Sequence, residues 1–90
     1  MIHIVGLKCV SSDMRVMGAN SDTVKIESNG ISFMKFHAKD FIEELRSWGN
    51  QLVEIEIVGR ANLNNWMGQI TPQIFIEDYE IKKAYATFEF

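Results

Sequence analysis

The spacing of apolar residues switches from strand-like to helical and back again along the chain. From Ile2 to Met17 the apolar positions Ile4, Val5, Leu7, Cys9 and Val10, then Met14, Val16 and Met17, follow a strand-like pattern broken by the polar Ser11-Ser12-Asp13. One long bent strand or two short ones satisfy this pattern. After the turn cluster Gly18-Ala19-Asn20-Ser21-Asp22, the segment Thr23-Val24-Lys25-Ile26-Glu27 alternates with Val24 and Ile26 on one face. Asn29-Gly30 then precedes Ile31-Ser32-Phe33-Met34-Lys35-Phe36. A type I′ turn needs positive φ at both central residues, and Asn-Gly supplies them, so these two segments are expected to pair antiparallel.

Helical spacing follows. Phe41, Ile42, Leu45 and Trp48 fall on one stripe while Asp40, Glu43, Glu44 and Arg46 take the other, which predicts a helix over 38–48 with Gly49 as its left-handed stop. From Gln51 alternation returns, with Val53, Ile55, Ile57, Gly59, Ala61 and Leu63 on one face and Glu54, Glu56, Arg60 and Asn62 on the other. Gly59 and Ala61 are small inward residues of the kind a strand uses where it coils sharply or where another backbone comes close. Asn64-Asn65-Trp66-Met67-Gly68 reads as a turn, and Pro72-Gln73-Ile74-Phe75-Ile76-Glu77 as a fifth strand with Pro72 at its beginning. The order is strand, strand, strand, helix, strand, strand. It predicts an all-β chain with one helix, a five-stranded Greek-key OB-fold barrel, the helix plugging the barrel end between strands three and four. An α+β sandwich is the alternative architecture.

Composition narrows the class. The 90 residues are 47% apolar and 23% charged with one proline, which predicts a single compact domain over 1–90. No run approaches the roughly 18 apolar residues of a membrane span, and no secretory signal pattern is present, so a cytoplasmic, non-membrane protein is expected. Cys9 is the sole cysteine, which excludes an internal disulfide and a multi-cysteine zinc site. Nine Lys and Arg against twelve Asp and Glu leave a formal charge of −3. Affinity for nucleic acid comes largely from neutralising phosphates, so an acidic chain binds well only where its few cations gather on one face. The tail carries Tyr85, Phe88 and Phe90, which are expected either to pack back on the barrel or to lead into a longer chain.

Two stretches carry a family resemblance: Val53 to Gly68, which includes Gly59-Arg60-Ala61-Asn62-Leu63-Asn64-Asn65-Trp66-Met67-Gly68, and Pro72 to Asp78. They resemble the oligonucleotide-binding-fold domain of the bacterial single-stranded-DNA-specific exonuclease RecJ, a family with Asn, a polar residue, Trp or Phe, any residue and Gly in this turn. Thr23-Val24-Lys25-Ile26 and Ile31-Ser32-Phe33 are similar to its second and third strands, so the likeness spans about residues 3–80. The resemblance implies an accessory module excised from a longer exonuclease, helping to hold single-stranded DNA beside a catalytic core of the DHH type. Manganese or magnesium would serve that core. The ligands for such an ion come from Asp- and His-rich motifs absent here, so this fragment is expected to be no enzyme, with no catalytic and no metal residues and no cofactor of its own. His3 and His37 stand far apart in sequence, and the adjacent Glu43 and Glu44 cannot converge on one point of a helix.

Barrels of this type bind oligonucleotides across strands two and three and the flanking loops. The expected nucleic-acid-binding residues are Lys25, Lys35, Arg60 and Trp66. A base needs a flat π surface and its phosphate a nearby cation, which favours Trp66 with Arg60 or Lys25. With Val24, Ile26 and Phe33 inward, Lys25, Met34 and Phe36 point outward, whereas Lys35 falls on the side of Phe33 unless a bulge intervenes. Trp66 could equally pin its turn onto the barrel end. The turn around it is neutral, with Met67, Gln69 and Ile70 where the family often has basic residues. Two functions stay open: an accessory single-strand binding module, or a docking module in which Met34, Phe36, Phe75 and Tyr79 meet the catalytic core, a following domain or single-stranded-DNA-binding protein.

Overall fold

The computed structural model describes residues 1–84, and the tail aromatics Tyr85, Phe88 and Phe90 lie outside the described residues. Strand β1 spans Ile2–Cys9 and β2 Arg15–Met17, separated by a 3₁₀ turn over Ser11–Asp13. The polar break therefore makes two strands. Asp13 accepts a hydrogen bond from the Val10 amide at 2.9 Å, and its own amide reaches back to the Val10 carbonyl. Chain geometry is thereby bent locally instead of continuing a ladder.

Strands β3 (Thr23–Ser28) and β4 (Ile31–Lys35) form the expected hairpin, and Asn29 and Gly30 take φ of 53° and 79°. Helix α1 covers Lys39–Ser47 and buries Phe41, Ile42 and Leu45, and Gly49 follows with φ of 63°. Strands β5 (Val53–Trp66) and β6 (Gln69–Lys83) are longer than the alternation implied. They are joined by a two-residue turn at Met67 and Gly68, both at positive φ, so the expected five-residue turn is largely strand. Pro72 accordingly sits inside β6, opposite Leu63, and not at its beginning. It is tolerated there because β4 pairs with β6 only from Gln73 onward, which leaves Pro72 on an open edge.

Among the described residues, six strands form one sheet in the order β1-β5-β6-β4-β3-β2. These residues are mostly β with one helix, and their sheet is not closed into a barrel. This corrects the five-stranded barrel in two respects. The N-terminal segment supplies both edges of the sheet, because the 3₁₀ turn divides it, and β4 pairs with β6 in parallel. A cleft of about 380 Å³ lies between the β1 edge and the β3–β4 hairpin, lined by Val5, Gly6, Asn29, Ile31 and Phe33 among others.

The core fills one side of the sheet. Val24, Ile26, Phe33, Ile55, Ile57, Ile74 and Ile76 pack there with Phe41 and Leu45 of the helix. Burying each such side chain stabilises the fold by roughly 1.5–3 kcal/mol before entropy is counted. Beyond Gly59 β5 outruns β1, and beyond Asn62 and Gln73 the β5–β6 pair extends as an arm past β4 as well. Ala61 and Leu63 were expected inward. They keep the inward side of the strand but stand exposed, because β5 has outrun β1 at both positions.

Candidate nucleic-acid interface

Register decides which side chains meet on the outer face. Arg15 of β2 lies opposite Lys25 of β3, Lys25 opposite Met34 of β4, Met34 beside Phe75 of β6, and Phe75 opposite Arg60 of β5. One continuous row thus crosses five strands with cations at both ends and an aromatic ring between them. Each member alternates with a residue facing the core: Val16, Val24, Phe33 and Ile74 or Ile76. Phe36 joins the row at its centre, its ring stacked on Phe75 with centroids 5.8 Å apart and planes at 24°. Phe36 is 53% exposed, which leaves an accessible π surface.

The charges around the row set its strength. Arg15 and Lys25 are like charges directly opposite one another, an unfavourable pairing that an anion relieves. Asp13 and Glu27 line the same surface depression and reduce that repulsion. Arg60 Nε lies 3.6 Å from Glu77 Oε2, with both side chains well exposed. Such a surface pair is worth about 0–1 kcal/mol, so it leaves the guanidinium available to a phosphate.

Of the four residues the sequence singled out, Lys25 and Arg60 are brought into one row. Lys35 is not. The β3–β4 ladder runs without a register shift, so Lys35 lies opposite buried Val24 on the core side, and its Nζ sits 5.6 Å from the centroid of the Tyr79 ring. Tyr79 in turn meets Phe41 edge-on at 4.7 Å. Burial, followed by the nearby Glu44 and Asp40 carboxylates, raises its phenol pKa. It belongs to the helix-covered end of the core and not to an outer docking patch. The Trp66 backbone pairs with Gln69 beside the turn of the arm. Six steps of extended strand separate it from Arg60, about 20 Å. The stacking role suggested for its ring lies outside what is described.

Four members of the row were not expected to bind nucleic acid: Arg15, and Met34, Phe36 and Phe75, which were read as part of a docking patch. A signal existed for each. Arg15 stands between Met14 and Val16, Phe75 between Ile74 and Ile76, Met34 between Phe33 and Lys35, and Phe36 follows Met34 at a strand spacing, so alternation sends all four outward.

Elsewhere the titratable groups are accounted for locally. Cys9 is buried in β1, and burial, helped by the Asp13 charge, pushes its thiol up to about 11. His3 Nε2 lies 2.5 Å from Glu56 Oε2, and Lys82 donates to the other Glu56 oxygen at 3.3 Å. His37 Nδ1 is 3.8 Å from Asp22 Oδ2. Among the described residues no three His, Cys, Asp or Glu side chains converge. No helix among them is long and apolar enough to cross a membrane. Models of known protein families and curated proteins yield no match to this chain.

Proposed function

We propose that this chain is a non-catalytic module that binds single-stranded nucleic acid, of the kind that RecJ-like exonucleases carry beside a metal-dependent core. The observation that carries the reading is the row Arg15, Lys25, Met34, Phe75 and Arg60, with Phe36 stacked on Phe75. Stacking on an aromatic side chain is worth about 1–3 kcal/mol per base and tolerates any sequence, while flanking cations take the phosphates. The strand order supports an oligonucleotide-binding barrel left partly open, once β1 and β2 are taken as two halves of one N-terminal strand. With about three phosphate contacts the salt slope is near −2 for a single strand, and affinity falls in or below the non-specific range of about 10⁻⁴ to 10⁻⁶ M. Linkage to a catalytic core would raise this through effective concentration.

Titration of the chain with a short oligo-dT, read by amide shifts, tests the proposal. Shifts are expected to cluster on Lys25, Met34, Phe36, Phe75 and Arg60. No hydrolysis of single-stranded DNA is expected with added manganese or magnesium. A metal-dependent nuclease activity abolished by a point substitution within the chain would refute the non-catalytic reading.

A second reading, a docking module, draws on the arm instead of the row. Leu63 and Ile70 are 65% and 63% exposed there, and an apolar groove of about 500 Å³ runs between Ile2, Ile31, Leu63, Pro72 and Ile74. Amide shifts confined to these residues on adding a catalytic core or single-stranded-DNA-binding protein would favour it.

A further inference from the structure

We infer that the outer face holds a single stacked base between two phosphate clamps, so that its ligand is a segment of three or four nucleotides lying across the strands. This rests on the reading of the face as a single-strand site, and adds its length and register.

Neighbouring strands lie about 4.8 Å apart, so the four steps from Arg15 to Arg60 span roughly 19 Å. With one stacked base and no succession, the strand across the row is largely unstacked and advances about twice the 3.4 Å per nucleotide of a stacked strand, so roughly three internucleotide steps cover the row. The cations occupy only its ends. Arg15 and Lys25 form one clamp on β2 and β3, and Arg60 forms the other on β5. No cation intervenes on β4 or β6, where Met34 and Phe75 stand. Phe36 and Phe75 are stacked on each other and so present one composite π surface, wide enough for one base and not for a succession. Phe75 on β6 is one strand from Arg60, and Phe36, which follows β4, is one strand from Lys25, so the stacked base lies between the two clamps.

The residues beside the row limit its continuation. Glu27, buried Ser32, Gln73 and Asn62 form the adjacent register line across β3, β4, β6 and β5, where the accessible groups are a carboxylate and two amides with no further cation. Gln73 Nε2 points at Met34 Sδ, 3.6 Å away. Glu77 flanks Arg60 on the other side. A backbone that continued in either direction would meet carboxylates before another cation.

The test measures affinity of the 90-residue chain for oligo-dT of two to ten nucleotides, then for tetranucleotides with one abasic position moved along the strand. Affinity is expected to climb up to about four nucleotides and to flatten beyond. One interior abasic position should weaken binding about fivefold or more, the lower end of a lost stacking contact, and the others little. Phe75→Ala should remove this position dependence, and Phe75→Leu, which keeps an apolar side chain without the π face, should do the same if Phe75→Ala does not fold. Affinity that keeps climbing past six nucleotides, or equal sensitivity at every abasic position, overturns the single-base register while leaving the outer face as the site. No binding at any length overturns the single-strand reading itself, and this inference with it.

Discussion

Gly59 of β5 lies against the carbonyl of Phe75 on β6 so closely that a Cβ built on the glycine would fall 2.4 Å from the Phe75 oxygen. The β5–β6 ladder shifts register at this point, Val58 pairing with Asp78 and Gly59 with Ile76. The close approach therefore sits at a bulge that bends the sheet and aims Phe75 outward beside Arg60. The glycine's φ is not left-handed, so what it supplies here is space.

Gly59→Ala is accordingly expected to destabilise the fold by about 1–3 kcal/mol, since backbone must move to admit the methyl group. Urea unfolding measures the loss. Oligonucleotide affinity should fall in the same variant under conditions where it remains folded, because the displaced backbone carries Phe75. Unchanged stability would show that the two strands separate there without cost.

The charge row makes a separate expectation. Arg60→Ala, Lys25→Ala and Arg15→Ala should each flatten the dependence of log affinity on log salt by about 0.7, the share of one phosphate contact on a single strand. Lys35→Ala should leave the slope in place, since that side chain lies over Tyr79 on the core side of the sheet. Equal effects at Lys35 and Lys25 would mean that general charge, and not the outer row, governs binding.

Acid should act through Glu56. Hydrogen bonds from His3 and then Lys82 hold its carboxyl below the usual carboxylate range. A folded-state pKa below the unfolded value gives a contribution to stability that is present at neutral pH and lost as pH falls through the folded pKa. His3→Ala should move the Glu56 titration, followed by carboxyl carbon shifts, upward toward the ordinary value. An unmoved titration would remove His3 as its main cause.

The turn of the arm carries a residue poorly suited to it. Met67 takes φ of 51° and Gly68 of 81°, the geometry in which Asn-Gly is preferred, and the Met67 side chain is 85% exposed. Met67→Asn is expected to stabilise the chain by about 0.5–1 kcal/mol, measured as a raised melting temperature. A fall would show that Met67 packs in solution.

Features that depend on neighbours in the chain were legible in the sequence. The Asn29-Gly30 hairpin, the buried stripe Phe41, Ile42 and Leu45, the break at Ser11-Ser12-Asp13 and the close approach at Gly59 all follow from φ preference, period or side-chain size. So did Lys25 and Arg60 as outward cations, and the conflict over Lys35. A period of two assigns each residue a side of its own strand and nothing more.

Which strands lie together, and in what register, was settled only in three dimensions. The parallel pairing that puts Met34 beside Phe75 joins segments about 40 residues apart, and a slip of one position would have sent Phe75 to the core side. The same holds for the open sheet, since whether β1 and β2 meet depends on how far the 3₁₀ turn carries the chain between them. Ala61 and Leu63 carry the pattern of core residues yet are exposed, because burial requires a partner layer and β5 has outrun β1 at both positions. Local chemistry determined the faces, and tertiary register determined which faces were assembled into a site.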